Sequence, residues 1–235
     1  MKGRDGTGSR AALIVTDRMG YLEAWEAQRQ LAEARREGRI PDVVWILEHP
    51  PTYTYGRNGA RADLFVDDEA LAALGATCVA SDRGGQMTWH GPGQSVGYVI
   101  ADLRPAGAVR LFVGALVGAM ADVATASGVT GALPDQAAMG LYVEGRKLGS
   151  VGIRVSGGIT SHGLALNRDP DPAWSLRMTA CGAPDVATTS IAAEGGDPER
   201  AAVDAALAEA LGERLHRRLT PTALDELLER TARAA

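Results

Sequence analysis

Apolar residues recur at helical spacing in several parts of the chain, and each of these parts carries a start or stop signal. Leu22, Trp25, Leu31 and Ala32 fall near one face of a helix between Gly20 and Gly38. Further helices are predicted after Asp67, over Ala108–Ser127, and at Asp197-Pro198 and Thr220-Pro221, where a capping residue precedes a proline.

Between these helices lie short apolar runs with the length and turn signals of strands. The strands are predicted over Asp42–Glu48, Thr77–Ala80, Ser95–Leu103, Leu141–Val143, Arg146–Val155 and Ile159–Leu166. The last three follow one another through Gly-containing turns, as hairpins do. This order of elements predicts an α+β fold on a mixed, mostly antiparallel sheet flanked by helices.

The chain is long enough, at 235 residues, to bury a core without a metal or disulfide staple. Residues 1–10 are polar and rich in glycine, and we expect a disordered tail there. Residues 11–235 are expected to form a single domain, with a helical C-terminal part from about residue 197.

Charge and cysteine content narrow the class of function. The net charge of −5 argues against a nucleic-acid or anionic-membrane binder. The longest uncharged apolar stretch, between Arg110 and Asp122, is shorter than the ~20 residues that span a bilayer. Two cysteines cannot form a disulfide framework, so we expect a reducing, cytoplasmic location.

The segment from Arg83 to Gln94 is the densest in turn and polar residues, with four glycines in twelve positions. It has neither the spacing of a P-loop nor that of a dinucleotide-binding loop. It is either a binding loop, in which glycine lets the backbone approach a ligand, or a tight connector.

Three other positions are candidates for chemistry. Cys181 lies in a Gly- and Pro-containing loop, where a thiol can act as a nucleophile, whereas Cys78 lies in a strand and is interpreted as a small core residue. Lys147 is one of two lysines among 24 basic residues, and in a regular strand it shares a face with Val151 and Ile153. An exposed lysine at a hairpin end is the alternative interpretation.

His90 and His162 each precede a glycine. No ligand pair such as CxxC or HxxxH accompanies them, so they are interpreted as structural hydrogen-bonding residues, and no metal site is predicted.

Five segments in order resemble the lipoyl(octanoyl) transferase family, LipB. They read LEHPPTYTYG at 47–56, RGGQMTWHGPGQ at 83–94, RKLGSVGIRV at 146–155, HGLALN at 162–167 and ACG at 180–182. The resemblance extends over about residues 12–195. Trp89, Met87 and Ala180 depart from the family pattern, and Gln136–Val143 lacks its usual PGV.

The resemblance implies the fold of biotin and lipoate protein ligases, which is also that of class II aminoacyl-tRNA synthetases. It implies octanoyl transfer from octanoyl-acyl carrier protein to a lysine of lipoyl domains, those of 2-oxoacid dehydrogenases and the glycine cleavage H protein, with no cofactor. By position, Cys181 is the acyl-thioester nucleophile and Lys147 lowers its pKa. The implied substrate-binding residues are Arg83, Gly84, Gly85, Gln86, Met87, Thr88, Trp89, His90, Ser150, Val151, Gly152, Gly163, Leu164 and Ala165, with His162 near the site.

Two other functions remain open at this point. An ATP-dependent lipoate or biotin ligase shares the fold but needs no nucleophilic cysteine. A non-catalytic relative that only binds lipoyl domains is expected to have lost Cys181 or Lys147, and both are present.

Overall fold

The α+β class predicted from the sequence is confirmed by a computed structural model, which describes residues 9–104, 108–135, 137–179 and 187–232. The strands in these ranges are β1 (Ser9–Arg18), β2 (Asp42–Glu48), β3 (Thr52–Tyr55), β4 (Thr77–Ala80), β5 (Met87–His90), β6 (Gln94–Ile100), β7 (Ala132–Asp135), β8 (Gly140–Val143), β9 (Arg146–Ser156), β10 (Ile159–Asn167) and β11 (Arg217–Pro221). The helices are α1 (Tyr21–Arg36), α2 (Asp68–Ala73), α3 (Ala108–Ala126), α4 (Arg200–Arg214) and α5 (Leu224–Ala232).

Eight strands form one sheet in the order β11-β1-β2-β6-β10-β9-β8-β7. The pairs β11–β1 and β1–β2 are parallel, and every pair from β2–β6 to β8–β7 is antiparallel. A small sheet of order β4-β3-β5 lies beside it. The mixed, mostly antiparallel sheet of the sequence prediction is therefore confirmed.

Helices cover both faces of the large sheet, which explains why β2 is apolar at almost every position. Val44 and Ile46 of β2 belong to the core cluster that includes α3 and α4, while Val43, Trp45 and Leu47 belong to the cluster that includes α1 and α5. Successive side chains of one strand thus enter two separate cores.

Helix α3 contains one segment, Val109–Ala126, whose length and hydropathy would suit a membrane-spanning helix. The segment is longer than the uncharged stretch considered above because it includes Arg110 and Asp122. Half of it is buried inside the structure, and buried core helices meet the same two criteria.

Both proline-marked helix starts were predicted too early. Helix α4 begins at Arg200, because the Glu199 side chain accepts hydrogen bonds from the Ala201 and Ala202 amides, while Asp197 forms a turn by accepting one from Glu199. Thr220-Pro221 ends strand β11, and α5 begins at Leu224.

The first and last strands of the described chain pair in the large sheet. Ser9 and Arg10 belong to β1, where they pair with Arg217 and Arg218 of β11, so the prediction of a disordered tail is wrong for these two residues. Residues 1–8 lie outside the described ranges. The region after residue 197 is also not purely helical, because β11 is the edge strand of the large sheet.

Candidate active site

Two cavities meet at a wall formed by Thr88, Lys147, Ser150 and Ala165. The cavity called here the glycine-lined cavity has a volume of about 300 Å³ and is bordered by Gly84, Gly85, Gly152 and Gly163. The other, the tryptophan-lined cavity, has a volume of about 380 Å³ and is bordered by Trp89 and Trp174. Both volumes are typical of small-molecule sites.

The structure brings together every predicted site residue that it describes. Those lining the glycine-lined cavity are Arg83, Gly84, Gly85, Gln86, Thr88, His90, Lys147, Ser150, Val151, Gly152, His162, Gly163, Leu164 and Ala165. Met87 and Trp89 line the tryptophan-lined cavity. Cys181 lies outside the described residues.

The loop from Arg83 to Gln86 is held in place by its own arginine. The Arg83 guanidinium donates hydrogen bonds to the Thr54 backbone oxygen at 2.6 Å and to the Gln86 and Gly84 carbonyls at 2.7 and 3.0 Å. The Gly84 amide donates to the Ile153 carbonyl of β9 at 2.9 Å. Arg83 therefore fixes the loop against β3, and the Gly84 amide fixes it against β9, beside the cavity that the loop lines.

Two glycines of this cavity are required by the backbone. Gly163 lies so close to β6 that a Cβ atom would come within 2.0 Å of the Gly97 carbonyl oxygen. Gly85 has a φ of +86°, in the left-handed region that favours glycine. The absence of a side chain at Gly163 lets β10 approach β6 closely, whereas glycine is required at Gly85 by its φ angle.

We expect Gly85→Ala to lower the rate of acyl transfer as well as the melting temperature. A left-handed conformation costs a residue with a Cβ about 1–2 kcal/mol, and at Gly85 the strain falls on the cavity wall. Gly75→Ala is the matched control, because Gly75 has a φ of +63° and a Cβ at that position would have no other atom within 4 Å. Both variants should melt earlier than wild type, and only Gly85→Ala should lose transfer rate; equal transfer rates in the two would show that the loop is only a connector.

Lys147 lies on the wall shared by the two cavities, and only 6% of it is exposed. Its Nζ is 5.3 Å from the centre of the Tyr142 ring. A bulge interrupts the register of β9 here: Tyr142 pairs with Lys147, and Leu141 pairs with Gly149. Leu148 and Val151 therefore both enter the core beneath α3, and the predicted shared face of Lys147 with Val151 and Ile153 is wrong.

The described chain on either side of residues 180–186 borders this region. Met178 and Thr188 line the tryptophan-lined cavity. The Lys147 amide donates a hydrogen bond to the Ala187 carbonyl at 2.8 Å, and the Thr189 amide donates to the Lys147 carbonyl at 2.9 Å. The chain that follows Cys181 in sequence is thus attached directly to the strand residue Lys147.

His90 and His162 have different hydrogen-bond partners. His90 Nδ1 is 2.7 Å from Gln94 Oε1, and His162 Nε2 is 2.7 Å from Asp82 Oδ1. No group of three potential metal ligands occurs in the ranges that the structure covers.

Asp82 is a residue that sequence reasoning missed. The hydrogen bond from His162 lowers the pKa of Asp82 to about 2, and Arg154 forms an ion pair with the same carboxylate. His162 is buried in strand β10 with a φ of +60°, and burial lowers the pKa of its imidazole. The unusual φ of a non-glycine residue marks this position as strained, and nothing in the local sequence indicates it.

A third buried histidine makes stability sensitive to acid. His49 Nδ1 donates to the Met19 carbonyl and Nε2 accepts from the Tyr98 hydroxyl, both at 2.7 Å, which fixes the neutral imidazole. Burial lowers the pKa of His49 to about 4.

We expect the free energy of unfolding to decrease as the pH falls from about 6.5 to about 4. In this range His49 is protonated in the unfolded chain but stays neutral in the folded protein. At 1.36 kcal/mol per pKa unit the loss approaches roughly 3 kcal/mol. Urea unfolding at a series of pH values from 7 to 4 measures it. His49→Gln should reduce this pH dependence, and a pH dependence unchanged in His49→Gln contradicts the assignment.

The tryptophan-lined cavity contains a stacked pair of indoles. Trp89 and Trp174 lie 5.5 Å apart with an interplanar angle of 17°. Trp174 belongs to a 3₁₀ turn over Pro172–Arg177, and the guanidinium of Arg177 lies 5.1 Å from its ring. Trp174 was not predicted as a site residue, because the residues around it form no motif associated with binding or catalysis.

Comparison with known proteins shows which families this chain is similar to. The lipoyl protein ligase A/B catalytic domain family matches residues 20–212. The chain is 42% identical to an octanoyltransferase of Rubrobacter xylanophilus over 192 residues, 80% of this chain and 86% of that protein. It is 38% identical to the mitochondrial octanoyltransferase LIP2 of Arabidopsis thaliana over 177 residues, 75% of each chain.

Solved structures support the fold. A bi-partite lipoate protein ligase from Thermoplasma acidophilum superimposes with a TM-score of 0.73, covering 96% of this chain and 91% of that chain at 14% sequence identity. At this identity the similarity establishes the fold alone.

Proposed function

The chain belongs to the lipoyl protein ligase A/B catalytic domain family, as one of its octanoyltransferases, and we propose that this acyltransferase carries an octanoyl group to the lysine amine of lipoyl domains. The donor is octanoyl-acyl carrier protein, and the group passes through a thioester on Cys181. The acceptors are the lipoyl domains of 2-oxoacid dehydrogenases and the glycine cleavage H protein.

The observation that carries the proposal is the position of Lys147. It is a buried cation at the junction of two cavities, and the other described residues of the predicted site border the same two cavities. A close cation favours the thiolate form of a cysteine, which is the nucleophilic form. The hydrogen bond from Lys147 to Ala187 supports placing Cys181 beside this cation.

Octanoyl transfer by this route has two steps, and each is a nucleophilic substitution at the carbonyl carbon of the octanoyl group. First, the Cys181 thiolate attacks the donor thioester, the bond from the carbonyl to the donor sulfur breaks, and the donor leaves as a thiol after taking a proton. Second, the neutral amine of the acceptor lysine attacks the enzyme thioester, loses a proton and releases the Cys181 thiolate. The products are an amide and the regenerated enzyme, and neither exchange consumes ATP.

The proposal is tested by intact-mass measurement of the enzyme and of a lipoyl domain. Octanoyl-acyl carrier protein alone should add one octanoyl group to the enzyme, and the added lipoyl domain should then receive it without ATP. An ATP-dependent ligase would modify the domain only with free octanoate and ATP. A non-catalytic relative would leave both masses unchanged.

A further inference from the structure

We infer that Gln94 and Asn167 are positioning residues of the site. Their linked side-chain amides fix His90 in the tautomer in which Nδ1 carries the hydrogen, so that Nε2 accepts a hydrogen bond from the substrate. The resemblance to LipB implies only that His90 binds substrate; the inference adds which nitrogen does so and which residues decide it. It rests on the proposed function for the identity of the substrate group, and not for the tautomer.

The two amides lie on neighbouring strands of the large sheet. Gln94 begins β6, Asn167 ends β10, and the two residues are paired in the register of these strands. Gln94 Nε2 donates a hydrogen bond to Asn167 Oδ1 at 2.9 Å. Both residues border the tryptophan-lined cavity and His90 borders the glycine-lined cavity, so the pair connects the walls of the two.

Two backbone carbonyls, which can only accept, set the direction of the hydrogen bonds in this network. Asn167 Nδ2 donates to the Thr189 carbonyl at 2.9 Å, so Asn167 Oδ1 faces Gln94. Gln94 Nε2 donates to that oxygen and to the Trp89 carbonyl at 3.2 Å, so Gln94 Oε1 faces His90 Nδ1, 2.7 Å away. Because an amide oxygen has no hydrogen to donate, the network assigns the hydrogen to His90 Nδ1.

The bond at Nδ1 leaves Nε2 as an acceptor, because a neutral imidazole has one N–H. His90 is neutral near pH 7, since burial lowers its pKa well below the ordinary value and His49 and Arg83 lower it further. Within the described ranges Nε2 has no hydrogen-bond partner, and it is not among the side-chain atoms that are both unpartnered and closed to solvent. A ligand in the glycine-lined cavity therefore meets an acceptor at His90.

An acceptor at this position favours one of the reacting groups of the proposed transfer. Of the two groups exchanged at the octanoyl carbonyl, the donor sulfur carries no hydrogen, whereas the amine of the acceptor lysine carries N–H. His90 Nε2 accepts a hydrogen bond from this amine and orients its lone pair. The lowered pKa makes the imidazole a weak base, so the contact orients the amine and does not remove its proton.

The first test determines the tautomer without any substrate. In enzyme carrying isotope-labelled histidine, proton–nitrogen correlation spectra near neutral pH distinguish a protonated ring nitrogen from a bare one, and His90→Gln identifies the signals of His90. Wild type should show the hydrogen on Nδ1. Gln94→Leu removes the oxygen that faces Nδ1, and in this variant the hydrogen should move at least partly to Nε2.

Two further variants separate the tautomer from general effects on the fold. Asn167→Asp keeps the oxygen that orients Gln94 and loses the bond to Thr189, so the hydrogen should stay on Nδ1. Gln28→Leu is the matched control. It removes another buried glutamine, whose Oε1 accepts a hydrogen bond from the backbone of His162, and it should leave the signals of His90 unchanged.

The second test compares the two steps of the transfer in single turnovers followed by intact mass. Gln94→Leu should slow the step from the octanoyl-enzyme to the lipoyl domain by about tenfold, and acylation by octanoyl-acyl carrier protein by no more than about twofold. The difference is expected because only the second step brings in the lysine amine.

The outcomes separate this inference from the proposed function. A hydrogen on His90 Nε2 in wild type, or an unchanged tautomer in Gln94→Leu, would overturn the inference. Equal slowing of both steps in Gln94→Leu would overturn the contact with the acceptor amine. Absence of an octanoyl-enzyme in wild type would instead contradict the proposed function, and the tautomer of His90 would be decided by the spectra alone.

Discussion

Cys181→Ala is expected to abolish the octanoyl-enzyme and to lower transfer to lipoyl domains by about 10³-fold or more, because removal of a covalent nucleophile eliminates the low-barrier route. The adduct formed by wild type should map, after proteolysis, to the peptide that contains Cys181. Melting temperature should change little, which separates loss of chemistry from loss of fold.

The chain provides its own control for this experiment. Cys78 is the other cysteine, and it packs in β4 beside the core of the small sheet. Burial raises the pKa of the Cys78 thiol, so less of it is thiolate near neutral pH. Cys78→Ala should form the adduct at the wild-type rate. An octanoyl group found on Cys78 would refute the assignment of Cys181.

Lys147→Arg is expected to slow acylation of Cys181 by about ten- to a hundredfold even though the charge is retained. Lys147 is almost fully buried on the wall shared by the two cavities. A planar guanidinium is larger than an ammonium and will either enter a cavity or turn away from the thiol. Loss of a close cation commonly raises a thiol pKa by about one to three units, and the greater nucleophilicity of a more basic thiolate offsets part of the loss.

The direct measurement is the rate of iodoacetamide alkylation of Cys181 against pH. The curve for Lys147→Arg should lie at higher pH than that of wild type. Arg146→Lys is the neighbouring control, because Arg146 is partly exposed and pairs with Glu144 and Glu194. Superimposable curves for wild type and Lys147→Arg would show that Lys147 does not lower the pKa of Cys181.

Much of the architecture could be predicted because local signals agree with tertiary packing. The hairpins from β8 to β10 are marked by Gly145 and Gly157-Gly158, which adopt positive φ angles at the turns. Strand β2 was recognisable because both of its faces are buried. The start of α4 was predicted too early because Asp197 and Glu199 can both cap the N-terminus of a helix. The side-chain geometry that selects Glu199 is not visible in the sequence. Strand β11 was missed because most of it is exposed and polar, and its pairing with β1 is non-local.

The site was predictable where its residues form a continuous segment. The segment Arg83–Gln94 could be selected as a candidate binding loop in this way, whereas Gly152 of β9 and Gly163 of β10 were implied only by the resemblance to LipB. The partners that support them could not, because each comes from a distant part of the chain. Asp82 meets His162 across 80 positions, and Trp174, in the 3₁₀ turn after β10, meets Trp89 of β5. The bulge at Leu148 also has no sequence signal, and it alone decides which face Lys147 occupies.

The parallel pairing of β1 with β11 has a consequence for synthesis on the ribosome. Strand β1 emerges first, and β2 can join it early, but its other edge is covered only when Arg217–Pro221 emerges. Until then β1 presents an unpaired row of backbone donors and acceptors, the kind of edge that promotes aggregation of nascent chains. A chain that terminates before residue 217 should therefore need a chaperone to remain dispersed, although every residue of the described site has already been translated.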